Sequence, residues 1–193
     1  MITMLWGLTA TALVAVNVMS WLPRWWIPAA AGAVLALLSV LVQVRFGADP
    51  ALAAWWWLAV TGVVLALIDS LHHRLPHPWT ASLLIGGLVI FGSVRPDALP
   101  RLVAASAVIL LVGVLVQCVL PGQVGFGDTL LLVALAPYWA WSGWHTVLAG
   151  VITAHLVLGA CAATAWLAGV RGPSARVAAG PGLLLGAWLP LLA

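Results

Sequence analysis

Residues 51–69 read ALAAWWWLAVTGVVLALID: 18 residues without a charge, closed by an aspartate. An α-helix rises about 1.5 Å per residue, so such a run covers most of the ~30 Å hydrocarbon core of a bilayer. Similar runs cover 2–22, 28–44, 79–94, 102–120, 129–141 (interrupted by Pro137), 145–168 and a short 183–192. Pro23-Arg24, Arg45 with Gly47-Ala48-Asp49-Pro50, and Pro121-Gly122 punctuate them. The pattern predicts an all-α, polytopic transmembrane helix bundle of seven to eight spans. It is a single integral-membrane domain over 1–193, with two leading spans in 1–50 and a core over 51–193.

Composition points the same way. Of 193 residues, 65% are hydrophobic and 6% charged, and the mean hydropathy is +1.19. Seven arginines and four aspartates, with no Lys or Glu, cannot cover a water-facing surface. The net charge of +3 includes no basic cluster able to neutralise a run of phosphates, so no nucleic-acid partner is expected. The partner implied everywhere is the lipid bilayer. Residues 1–19 lack a positive leader region and a small-residue cleavage site, and read as a retained span. Trp21, Trp25 and Trp26, Trp55 to Trp57, and Trp139, Trp141 and Trp144 gather near span ends, as an interfacial aromatic belt does. Cys118 and Cys161, far apart in apolar runs, read as small buried hydrophobes.

Orientation rests on the arginines. With the N-terminus outside, Arg24, Arg74, Arg171 and Arg176 fall inside, against Arg45, Arg95 and Arg101 outside.

Four carboxylates then divide into two kinds. Asp49 and Asp97 lie in loops and read as solvated. Asp69 and Asp128 each stand where an apolar run meets water, and an ionisable group near membrane depth is a functional candidate. Two complete crossings separate them, so both face the same side. Two carboxylates at one site can share a proton, one ionised to activate water and one protonated to polarise a carbonyl. Gly125 and Gly127, in Gly125-Phe126-Gly127-Asp128, allow positive φ or a close backbone approach. Asp128 falls at a helix N-terminus, as a cap or as an anion favoured by the dipole. That position marks Asp128 as the ionised member of the pair and Asp69 as the protonated one.

Around Asp69 the chain continues Ser70-Leu71-His72-His73-Arg74-Leu75-Pro76-His77-Pro78. The two prolines end the helix and hold an extended loop. His73 and His77 have i, i+4 spacing, but Pro76 denies them a shared helix face, so no metal site is expected. His145 and His155 read as an interface residue and a hydrogen-bonded helix-packing residue.

These motifs resemble the type IV prepilin peptidases, aspartic membrane proteases of the G-x-G-D group. The first motif of that family, an aspartate followed six and seven residues on by Ile or Leu and Pro, reads here Asp69, Leu75, Pro76. The second is Gly125 to Asp128, and Gly180-Pro181-Gly182-Leu183 resembles the family's glycine-rich entry to its last helix. The resemblance covers residue 55 onward. It implies an Asp69/Asp128 catalytic dyad, with Gly125, Gly127 and Pro76 as motif support and no cofactor. It also implies prepilin or pseudopilin substrates, cut after a Gly at the cytoplasmic face of the bacterial inner membrane. The family commonly carries Lys where this chain has Leu130, and Asn or Asp where it has His77. Residues 1–68 hold no Cys, so the cysteine-paired methyltransferase region of bifunctional members is missing and a peptidase-only form is implied.

Other classes share part of this signal. A small proton or cation transporter would also place two aspartates at the interface, but the spans carry no midplane charge and no paired broken helices. A catalytically lapsed homologue scaffolding a pilus or secretion assembly would account for Leu130 and His77. Presenilin-type proteases share only G-x-G-D, and usually carry Tyr where Ile68 stands.

Overall fold

The computed structural model describes residues 26–121, 125–169 and 178–193. They form seven helices: α1 (Trp26–Phe46), α2 (Leu52–His72), α3 (His77–Val94), α4 (Leu99–Val119), α5 (Phe126–Ser142), α6 (Trp144–Leu167) and α7 (Ala179–Leu192). A 3₁₀ turn, Pro96–Ala98, joins α3 to α4, and no strand occurs among the described residues. Every expected run from residue 28 onward has its helix. The run 2–22 lies outside the described residues. Five segments are long and apolar enough to cross a membrane: Ala29–Phe46, Leu52–His72, His77–Val94, Pro96–Val119 and Trp144–Leu167. The chain is an all-helical membrane protein, with α5 and α7 shorter at 17 and 14 residues.

The bundle is built around α5. It packs against α3, α4, α6 and α7, and every residue from Leu131 to Ala140 is buried. The outer helices turn apolar stripes outward: Leu37, Val40 and Val44 on α1, Val108, Leu111, Leu115 and Val119 on α4, and Leu148, Ile152 and Leu156 on α6. A helix apolar all round sits in a core or in lipid, and these do both.

Pro137 does not interrupt α5, which runs through it to Ser142. Proline lacks the N–H that would bond Val133 C=O, and a bare carbonyl inside a membrane protein is costly. The buried Ser106 hydroxyl of α4 donates to that carbonyl at 3.2 Å. The same device recurs in α7, where Pro190 frees Gly186 C=O and the Thr153 hydroxyl of α6 donates to it at 2.8 Å.

Two expectations fail for one reason: an apolar run does not say which face meets protein. Cys118 is exposed on α4 and Cys161 half-buried on α6, both free. Conversely Trp55 and Trp139 are fully buried instead of standing in an interfacial belt. Trp139 donates its indole N–H to Ala187 O at 3.1 Å. Trp55 stacks on Phe46 at 4.1 Å and meets Phe91 edge-on at 5.5 Å. Trp144 and Trp166 are exposed, as a belt requires.

Asp49 is likewise no solvated loop residue. It sits half-buried between α1 and α2, and its carboxylate accepts from Ala51 N–H (2.7 Å), Trp55 Nε1 (3.1 Å) and Trp141 Nε1 (3.2 Å). Beside it Arg95 and Arg101 both donate to Trp141 O, at 3.4 and 3.1 Å, closing the C-terminal end of α5. Asp97, in the 3₁₀ turn, is exposed as expected.

Candidate active site

The opposite end of the bundle holds the other two aspartates. Helix α2 runs past Ile68 to His72, so Asp69 lies in its last turn. Asp69 C=O accepts the N–H of His73, which ends the helix in the left-handed region at φ 48°. Arg74, Leu75 and Pro76 then run extended into α3, whose second residue is Pro78. His72, His73, Arg74 and His77 are exposed. No three His, Cys, Asp or Glu side chains among the described residues gather within reach of one metal ion.

This loop brings Leu75 to the second motif. Gly127, in the first turn of α5, faces it so closely that an added Cβ would lie 3.4 Å from Leu75 Cβ. The two sequence motifs, separated by two helices, therefore meet at Leu75 and Gly127.

Asp69 is buried. Its Oδ2 accepts the backbone N–H of Gly180 at 2.7 Å, from the first turn of α7. A Cβ at Gly180 would stand 2.9 Å from that oxygen, so glycine is what allows the approach. Asp69 Oδ1 has no hydrogen bond among the described residues.

Asp128 is half-buried, just ahead of the apolar run 129–141. It is not the N-cap: Gly125 takes that place, and Asp128 is the third helical residue. Its carboxylate turns back over Gly125. A Cβ at Gly125 would meet Asp128 Oδ2 at 2.8 Å, with Gly125 at φ −69°. Close approach, not positive φ, is thus what glycine supplies here. Burial pushes the Asp128 carboxyl above the ordinary carboxylate range, and the negative charge of Asp69 pushes it further. The Gly125 N–H and the His155 ring act in the opposite sense.

The helix N-terminus that donates an N–H at 2.7 Å is that of α7, and it reaches Asp69. Asp128 is the carboxyl raised toward its protonated form.

Neighbouring residues hold this arrangement. Thr129, buried beside Asp128, accepts from Gln117 Nε2 at 2.9 Å, which ties the end of α4 to the start of α5. His155 is hydrogen-bonded as expected, ring Nδ1 to Val151 O at 2.8 Å, but it is exposed on α6 and not packed between helices. His145 is exposed at the far end. Leu130 is half-buried in the first turns of α5. Sequence reasoning missed the Gly180 N–H and the Gln117–Thr129 tie; Gly180-Pro181-Gly182 was the only visible signal of the first.

The sequence matches the model of the type IV leader peptidase family over residues 52–168. No curated protein and no solved structure gives a match. The matched segment includes Asp69, Leu75, Pro76 and the Gly125–Asp128 motif, and takes in more than half of the chain. The chain belongs to the type IV leader peptidase family, whose members are membrane-embedded proteases.

Proposed function

We propose that this member of the leader peptidase family is an aspartic endopeptidase acting through an Asp69/Asp128 dyad. Its substrates are type IV prepilin-like or pseudopilin chains. It removes their leader after a Gly, at the cytoplasmic face of the bacterial inner membrane. The observation that carries this reading is the seating of Leu75 on Gly127, which joins the two aspartate motifs at one end of the bundle. The charge of Asp69 raising the Asp128 carboxyl supports it.

In this reading Asp69 is the base. Its Oδ2 is held by Gly180, and Oδ1 takes a proton from the attacking water. Asp128 gives its proton to the scissile carbonyl oxygen as the water oxygen bonds to carbon. Collapse of the tetrahedral diol breaks the C–N bond. The proton taken up by Asp69 passes to the leaving amine, and the diol returns a proton to Asp128. The pair titrates as a unit. Rate against pH is bell-shaped, because the dyad needs one carboxyl ionised and the other protonated. A profile with a single ionisation would count against a shared-proton dyad.

The direct test expresses the chain in membranes with candidate prepilins, beside Asp69→Asn and Asp128→Asn at matched levels. Leader removal by the wild type and retention of the leader with both variants is the expected result. Cleavage surviving either substitution would show that the dyad is wrongly assigned. No cleavage of any candidate by the wild type would move the chain to a scaffolding role.

A further inference from the structure

At the end of the bundle away from Asp69 and Asp128 lies a cavity of about 550 Å³, within the size range of small-ligand sites. Its lining includes Arg45, Arg95, His145, Asp49, Trp55 and Trp141. We propose that this cavity binds the phosphate of an anionic lipid headgroup.

Asp49 is the acidic side chain on the wall, and its carboxylate is already engaged by three N–H donors at 2.7–3.2 Å. It forms no ion pair with the arginines beside it among the described residues. Arg95 stacks on the Trp141 ring at 4.1 Å and spends one N–H on Trp141 O. Arg45 lies over the Phe46 ring at 5.4 Å and makes no hydrogen bond among the described residues. On the carbonyl that Arg95 bonds, Arg101 keeps its Nε buried and without a partner among the described residues. Arg45 and Arg95 thus bring to the cavity guanidinium N–H groups that no carboxylate side chain among the described residues accepts. A guanidinium fork fits two phosphate oxygens at once.

The position selects a lipid as the source. Arg45 follows Val44, which is 80% exposed and ends the outward apolar stripe of α1. A guanidinium at the end of such a stripe stands where acyl chains give way to headgroups. The site is separate from the proposed peptidase chemistry and does not depend on it.

The test uses the purified full chain in neutral detergent. Thermal unfolding is followed by tryptophan fluorescence while phosphatidylglycerol, phosphatidylcholine or inorganic phosphate is titrated in. A saturable rise in Tm with phosphatidylglycerol is expected, weaker with phosphatidylcholine. Its midpoint should move to about tenfold higher lipid in Arg45→Gln, the loss of one charge-assisted contact. Arg74→Gln removes the same charge at the other end and leaves the midpoint in place. An equal, Arg45-dependent rise with inorganic phosphate would overturn the lipid assignment in favour of free phosphate. A phosphatidylglycerol effect indifferent to Arg45→Gln, or no effect of any anion, would overturn the site itself. Native mass spectrometry provides the second reading, as phosphatidylglycerol adducts retained by the wild type and depleted in Arg45→Gln.

Discussion

Asp49 and Asp69 are the same residue type in the same bundle, one at each end, and their surroundings differ in one respect. Asp49 is saturated: a backbone N–H and two indoles from α2 and α5 close around it. Asp69 is more deeply buried, yet one backbone N–H is its hydrogen bond among the described residues, and Oδ1 is left over. Burial therefore does not distinguish the carboxylate that holds a fold together from the one proposed for chemistry. The lone pairs left unspent do. At one end the carboxylate is met by three N–H donors, and at the other one oxygen keeps its lone pairs.

Substitutions at the two aspartates should separate these roles most sharply. Asp69→Asn can still accept the Gly180 N–H but cannot take a proton from water. Leader cleavage is expected to fall by about 10³-fold or more with Tm unchanged, as read by cleavage rate and thermal unfolding on one preparation. A large loss of Tm would erase the contrast between the two ends. Gly180→Ala comes next. Its Cβ would crowd Asp69 Oδ2 and displace the carboxylate, so cleavage should drop by about 10- to 100-fold, with a lower turnover and little change in KM. Unaltered turnover would mean that the α7 N–H does not position Asp69.

Asp49→Ala should do the reverse. It strands two indole N–H groups and the Ala51 N–H, and should cost about 2 kcal/mol of stability while cleavage persists at low temperature. Loss of cleavage without loss of stability would refute a structural role for that end. The smallest effects are expected at Ser106→Ala and Thr153→Ala. Each uncovers a carbonyl freed by proline, at about 1 kcal/mol, measurable by denaturant or thermal unfolding in detergent. Restoring the missing N–H, as in Ser106→Ala with Pro137→Ala, should recover most of that loss.

The sequence displays its helices plainly, because runs such as 102–120 have no other stable fate than a span. All seven described helices fall where apolar runs predict them. Sidedness is a different matter. Trp55, fully buried, and Cys118, exposed, sit in equally apolar surroundings along the chain, and only helix packing tells protein from lipid. The two aspartate motifs were legible by spacing and resemblance. The donor to Asp69 was not, since Gly180 lies 111 residues away and a backbone N–H leaves no residue-type signature. The placing of the α7 N-terminus against Asp69 has the same origin. A helix N-terminus is visible in sequence, but the carboxylate it faces is a matter of tertiary structure.

The two prolines matched by hydroxyls carry a consequence for how the bundle assembles. Between greasy helices in lipid, sliding by one turn or rotating by a quarter costs little, because one apolar contact replaces another. Ser106 opposite Val133 O, and Thr153 opposite Gly186 O, remove that freedom. Each hydroxyl finds an open carbonyl at one height on its neighbour. Pro137 and Pro190 thus act as notches, and the hydroxyls as pins that fall into them. Independently inserted helices α4 and α6 would then lock against α5 and α7 in a single vertical setting. The aspartates, many residues from either pin, inherit their alignment from it.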